Sequence, residues 1–480
     1  MTRLTILQLN DLHGYLEPHP EMIRGEDGEW RFATLGGLSR IAALFEQVRA
    51  EQPDAVVALD NGDTFHGTHV AVASKGLALA PAINAIGFDA MTVHWEFAFG
   101  PEGVKRIAAE LDHPMLAINC HRKHDDQLFL QPYRMVTRAG LRIAIIGLAC
   151  PIIDKTMPPS FSEGLYFTIG DVELPRWIRH VREEEAADLV ILLSHLGFPQ
   201  DVKLASEVEG IDVLVSGHTH NRMERAIVVN GAILFQSGCH GSFVGRLDID
   251  IDDGRIASHQ HALIAVNQDI AVDPEVERLV ARALRDEREA MAEIVGRTEV
   301  PLHRYAMLHA PMDDLLTAAI AEAAGTRIAF SNGWRYGAPI PEGPITLGDL
   351  WNIVPMNPPI STVELTGAEI REMIEANLER TFAADPYKQM GGYVKRMAGV
   401  RIFIRAESPG GHRVDRIYLE DEPIDDQRVY PCAFITEQGV PAKFGVNRQA
   451  LDVHAIDALR QRLRRPWPGE LRPSEAVLEI

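Results

Sequence analysis

Cysteine is scarce in this chain. The four present, Cys120, Cys150, Cys239 and Cys432, stand far apart with no Cys-x-x-Cys pair among 480 residues. That spacing excludes a disulfide framework and a zinc knuckle, and it points to buried thiols in a reducing compartment. Positive charge is short as well: 47 Lys and Arg against 68 Asp and Glu leave a net charge of -21. A chain so acidic lacks the basic face that a nucleic-acid polymer or an anionic membrane would need. Small anionic substrates stay open, because bound metal ions reverse the local field. No run of eighteen apolar residues occurs, so no membrane-spanning helix is expected. Met1-Thr2-Arg3 leads straight into an apolar strand candidate without a signal-like region, so the expected location is the cytoplasm unless the chain was trimmed.

What is present is an alternation of short apolar runs and amphipathic helical stretches through the first half, the pattern of a layered α/β domain. Polar residues follow the strands. After Leu9 comes Asn10-Asp11-Leu12-His13-Gly14, and after Leu59 comes Asp60-Asn61-Gly62-Asp63. Val93 leads into His94-Trp95-Glu96-Phe97, Leu193 into Ser194-His195-Leu196-Gly197, and Val215 into Ser216-Gly217-His218-Thr219-His220. Open α/β sheets bind ligands beyond the carboxyl ends of their strands. One Asp-x-His occurs by chance in many loops, but five strand ends bearing Asp and His in order point to a metal site on rigid elements.

Two divalent ions suit this set, because a carboxylate can bridge both while neutral imidazoles complete each shell. Asp63 in its glycine turn is the natural bridge. Asp11, His13 and His220 would complete the first site, and His195, His218 and His94 the second. A hydroxide bridging ions about 3.5 to 4 Å apart could attack a phosphorus or similar centre in line. His66, His69 and His240 lie near these motifs, as neighbours of the ligands, as substrate-facing groups or as merely exposed residues.

A chain of 480 residues exceeds one core. The charged stretch Pro274 to Ile294 has apolar residues at helical spacing, and it reads either as a linker or as a surface helix packed on its own domain. Composition changes after it, towards Gly and Pro turns. The expected division is residues 1–270 for the metal domain, 271–299 for a helical linker and 300–480 for a second domain.

The strand-end motifs, continued by Gln236-Ser237-Gly238 and Gly245-Arg246-Leu247-Asp248, resemble those of the 5'-nucleotidase family of calcineurin-like metallophosphoesterases. Asn332-Gly333-Trp334-Arg335 and Ile345-Thr346-Leu347-Gly348-Asp349 resemble that family's nucleotide-binding domain, so the likeness spans nearly the whole chain. It implies an α/β fold: a four-layer αββα sandwich, a bridging helix and a smaller α/β C-terminal domain for substrate specificity. It implies two divalent ions, and Asn332 and Arg335 as substrate residues, Arg335 on the phosphate side. Tyr393 would be the first of two aromatic rings sandwiching a base, and Phe444 the second, unless both belong to the domain core. The chemistry agrees in part, since a guanidinium clamps oxyanions and aromatic faces stack bases.

One motif departs from the family. Where Gly-Asn-His-Glu-Phe-Asp is usual, with Asn on a metal and His paired to Asp, this chain has His94-Trp95-Glu96-Phe97-Ala98. Either His94 takes the metal place of Asn while Trp95 and Ala98 replace the catalytic pair, or His94 is itself the catalytic imidazole and the second metal is one protein ligand short. His-Trp-Glu-Phe, with Asp385-Pro386-Tyr387 and Gln389-Met390-Gly391-Gly392, also resembles the thiosulfohydrolases of bacterial sulfur oxidation, which use two manganese ions on a carrier protein's cysteine. The expected activity is therefore hydrolysis of a small phosphoester, above all as a 5'-nucleotidase, with His94 and Arg335 catalytic. Manganese is the first choice of metal, with zinc also suitable. The alternatives are thiosulfonate hydrolysis, in which case a carrier protein is the partner, and a metal-binding homologue without catalysis.

Overall fold

Six successive residues of the strand Thr2–Leu9 are buried, on both faces, as a strand sandwiched between layers must be. In the computed structural model, which describes residues 1–25, 27–391, 393–419, 422–465 and 476–480, that strand is the middle of a five-stranded sheet. The order is Arg255–Ala265, Phe243–Asp252, Thr2–Leu9, Val56–Asp60 and Ala90–Met91. Its last three strands run parallel. A second sheet has six strands in the order Ile227–Val229, Ala232–Phe235, Val213–Ser216, Leu189–Ser194, Leu141–Leu148 and Tyr133–Arg138, and its four inner strands are parallel.

The two sheets face each other across one apolar core. Leu4, Ile6, Val57 and Leu59 of the first meet Ile145, Ile191, Val215 and Phe235 of the second, among others. Helices cover the outer faces: Leu38–Glu51 packs on Val56–Asp60, and Phe198–Glu207 on Val213–Ser216. This is the αββα sandwich. Parallel strands that share a direction also share an end, and the consequence is that their polar sequels emerge together.

The described residues form two compact units, Met1–Asp286 and Glu287–Ile480. Within the first, the helix Pro274–Ala283 packs against Leu38–Glu51 and carries its own N-cap, the Asp273 carboxylate accepting from the Glu275 and Val276 amides. A short helix, Arg288–Met291, belongs to the second unit. The second unit is built on a five-stranded sheet in the order Arg396–Ala398, Ile328–Ser331, Val429–Phe434, Pro359–Thr366 and Val446–His454. The helix Gly367–Phe382 starts in a capping box between Thr366 and Glu369. A four-stranded sheet including Val400–Ile404 and Val414–Leu419 shares this unit's apolar core.

One expected helix is different. The apolar spacing of Leu77 to Ile86 suggests a helix of that length, but the helix that forms there is shorter, Ala80–Asn84. Pro81 is the reason: proline fits only a helix's first turn, so the helix starts there and not at Leu77.

Candidate metal centre

Five strand ends of the first unit converge on one buried point. Asp63, His94, His195 and His218 each offer a ligand atom within 4.8 Å of the others, and so do Asp11, His13, Asp63 and His220. Asp63 belongs to both sets. The backbone is forced to make this happen: φ is positive at Asp11 (47°), His13 (51°), Asp63 (56°), His218 (72°) and His220 (58°). Each such residue costs about 1–3 kcal/mol, and strain of this kind gathers where function over-determines the geometry. Gly67 allows a close approach at the site, since a Cβ there would lie 2.4 Å from the His13 carbonyl oxygen.

The donor chemistry fits divalent ions. His13 donates from Nδ1 to the His66 carbonyl (3.1 Å) and His195 from Nδ1 to the Asn61 carbonyl (2.5 Å), which fixes the tautomer and leaves each Nε2 as an acceptor. His13 Nε2 then faces His220 Nε2 at 3.3 Å. Two imidazole nitrogens that close suit neighbouring ligands of one ion at about 2.1 Å each. Nε2 of His94 is buried and lacks a hydrogen-bond partner among the described residues, while Nε2 of His195 faces the Asp63 and Asp11 carboxylates at 3.2 and 3.5 Å. A buried polar atom without a partner is expensive, and a cation would satisfy it.

Charge is balanced tightly around Asp63. Its carboxylate lies 3.2 Å from His94 Nδ1, 3.2 Å from His195 Nε2 and 3.6 Å from His13 Nε2. Burial would raise its pKa, but His94 and His195 outweigh burial and hold it well below the usual range. For His94 burial works downward, while Cys150 and Asp63 lift it to about 10. His195 is raised by Asp63 and Asp11 against the same burial. Burial dominates at His13 and keeps it neutral. Both shifts favour the protonated imidazole, and a divalent ion held there would have to take the place of those protons.

Residues beyond the expected ligands fix these geometries. The Glu96 carboxylate, fully buried, accepts from the backbone amides of Thr64 (2.7 Å) and His94 (2.8 Å), locking the Asp63 turn to the His94 turn. Asn61 donates from Nδ2 to the carbonyls of Ser194 and Val215, tying the Asp63 strand to the two that carry histidines. Asp201 accepts from the hydroxyls of Ser194 and Ser216, the residues that end those two strands. A buried carboxylate with four amide neighbours is not visible in a sequence; only its place close to His94 hinted at it.

The histidines left open now have places. His66 stacks on Trp95, ring centroids 4.8 Å apart at 23°. His240 is buried beside His13 and His220, with His19 and Glu21 as neighbours. The Glu21 charge is met there by Arg222 at 2.8 Å. His69 opens the short helix after the Asp63 turn.

In the second unit the expected substrate residues lie on loops. Asn332 Oδ1 accepts from the Thr436 hydroxyl at 3.0 Å, and Arg335 is half-buried two residues past Gly333. The Arg396 guanidinium lies 4.9 Å over the Tyr393 ring, and a Cβ on Gly333 would meet the Arg396 side chain at 3.1 Å. Arg396, which no motif marks, therefore joins the Asn332 loop to Tyr393. Phe444 is 3% exposed and part of the apolar core, the domain-core alternative for that ring. Gly392, next to Tyr393, lies outside the described residues.

Comparison with known proteins agrees with this fold. Residues 294–436 match the 5'-nucleotidase, C-terminal domain. Over the whole chain, the sulfate thiohydrolase SoxB of Thermus thermophilus has a superposable structure, with a TM-score of 0.90, 25% identity and coverage of 99% of this chain and 96% of that one. The architecture is that of the 5'-nucleotidases. The Probable 5'-nucleotidase of Treponema pallidum is 26% identical over 89% of this chain and 84% of its own length. The Trifunctional nucleotide phosphoesterase protein YfkN of Bacillus subtilis is 25% identical over 87% of this chain, which spans only 30% of that protein. The expected fold and enzyme class stand. No described helix is long and apolar enough to cross a membrane.

Proposed function

We propose that the chain is a two-metal hydrolase of small phosphoesters, a 5'-nucleotidase or related phosphomonoesterase. The observation that carries this reading is Asp63, one buried carboxylate shared by two four-residue clusters. Bound there, two divalent ions would lower the pKa of water and neutralise charge building on a phosphoryl group. The chain's own part is to hold them. Asp11, His13, Asp63 and His220 take one position, and Asp63, His94, His195 and His218 the other. His94, with Asp63 on its Nδ1, is thereby a ligand, and Trp95 and Ala98 leave no His-Asp pair for the leaving group. In the second unit Arg335 clamps the phosphate side, Asn332 binds beside it and Tyr393 stacks a base. Manganese is the metal proposed from the mixed Asp and His donors, with zinc second. The four cysteines are all free and buried, which suits a cytoplasmic setting.

The test is a panel of nucleoside monophosphates, generic phosphoesters and a thiosulfonate, assayed with added manganese or zinc. Release of phosphate from a nucleotide is the expected result. Protein with two ions bound that hydrolyses none of the phosphoesters but does cleave the thiosulfonate would overturn it. That second reading has its own support in the His-Trp-Glu-Phe motif and the likeness to a thiohydrolase structure at a TM-score of 0.90. His94→Ala separates the roles of this residue: as a ligand its loss empties one metal position, whereas as an acid it would slow turnover with both ions kept.

A further inference from the structure

A sixth strand also ends at the metal centre, and it delivers a thiol. Cys150 follows the strand Leu141–Leu148 and is held by its backbone amide to the Val93 carbonyl (3.2 Å), directly before His94. The side chain is fully buried, and its Sγ lies 3.9 Å from His218 Nδ1. It is close enough to His94 and His195 to act on both electrostatically. The three imidazoles themselves form one group, with ring centroids 4.9 Å apart for His94 and His218, 5.1 Å for His94 and His195, and 5.3 Å for His195 and His218. Nε2 of His94, which is buried, lacks a hydrogen-bond partner among the described residues and so marks where a cation is wanted. A sulfur at about 2.3 Å and a nitrogen at about 2.1 Å from one ion lie about 3.8 Å apart at the roughly 120° equatorial angle of a five-ligand shell. The observed 3.9 Å is within a small side-chain adjustment of that.

We propose that Cys150 is a thiolate ligand at the second metal position, beside Asp63, His94, His195 and His218, and that it makes this position select a thiophilic ion, zinc above manganese. The inference rests on the two-ion reading above and refines its choice of metal. On binding, the S–H bond breaks, its proton leaves to solvent and a sulfur–metal bond forms, with no change of oxidation state. Soft thiolate donors favour zinc and cobalt, while carboxylate and imidazole donors suit manganese. Neither four-residue cluster includes a sulfur as it stands, but Cys150 adjoins only the second, through His218, so with the thiolate bound the two positions differ in preference.

Cobalt(II) reports the bond directly. The full chain loaded with two equivalents of cobalt is expected to show a near-ultraviolet sulfur-to-cobalt charge-transfer band arising from one of the two. The band should vanish in Cys150→Ser and persist in Cys239→Ser, whose thiol faces His240 instead. In competition, the preference of the second position for zinc over manganese should fall at least about tenfold in Cys150→Ser. Two equivalents of bound cobalt without the band, or a band that survives Cys150→Ser, overturns the proposal and leaves the two-ion reading standing. Failure of the wild-type chain to bind two ions overturns both. The wild-type spectrum alone shows whether sulfur binds the metal, even where Cys150→Ser does not fold.

Discussion

The strand-end cluster of the first unit and the loops proposed for substrate in the second are built by opposite means. In the first, parallel strands share an end, the backbone accepts left-handed φ at five ligand positions, and Glu96 and Asn61 fix the turns from behind. Donor atoms converge within 4.8 Å before any ion arrives. In the second, Asn332, Arg335 and Tyr393 sit on loops joined by one buried arginine, Arg396, and Phe444 is packed in the core. A metal shell has to be preorganised, because its ligands lose rotamer freedom once at folding rather than at each turnover.

Substitution tests the comparison most severely at Asp63. Because its carboxylate serves both clusters, Asp63→Ala should reduce bound metal from two ions to fewer than one and lower kcat/KM by about 10³–10⁴. Elemental analysis of purified protein together with turnover would check it. Full metal content in Asp63→Ala would break the claim that one carboxylate organises the centre. On the other side, Arg335→Ala should lower kcat/KM by roughly a hundredfold, as loss of a charged oxyanion contact does, with both ions retained. Phe444→Ala should act differently, costing about 3–5 kcal/mol of stability for an aromatic removed from a core. An intact melting temperature with a raised KM in Phe444→Ala would return that ring to the substrate.

The contrast also decides how far the sequence could be read. Asp11, His13, Asp63, His195, His218 and His220 stand directly after apolar runs, so period and punctuation alone place them at one sheet edge. The sandwich itself follows from the same runs. Glu96 and Cys150 were hidden for a physical reason: each acts on residues distant in the chain, and neither its amide partners nor its neighbouring imidazoles leave a local pattern. Loops carry no periodicity at all. Tyr393 and Phe444 therefore looked alike in sequence, and only packing distinguishes a half-buried ring under Arg396 from one in the core.

Glu96 offers a milder way to sharpen the contrast. In Glu96→Gln the side-chain NH₂ would confront an amide hydrogen that now finds an acceptor, at Thr64 or at His94. The turns would loosen without losing a ligand. Metal affinity should weaken about 10–100-fold, the usual effect of disturbing groups behind metal ligands, and calorimetric titration of metal into the stripped protein would measure it. Excess metal should restore turnover, which no excess would do for Asp63→Ala.

The smallest effect concerns the strand ends themselves. Burial lifts the Asp201 carboxyl to about 7 against the pull of its bonds from Ser194 and Ser216. Its folded pKa thus lies above the unfolded 3.8, so the native state binds more protons than the unfolded chain between those values, and stability falls as pH rises through that window. The contribution is fully present below about 4 and is lost by about 7. Asp201→Asn, which cannot ionise, should escape the loss. In metal-free protein, the difference in unfolding free energy between the variant and the wild type, from urea titrations, should shift in the variant's favour as pH goes from 4 to 7, by an amount on the order of 1–3 kcal/mol. A difference that stays constant across that range would mean that Asp201 is ionised throughout, and that the strand ends are clamped by a charge rather than by a shared proton.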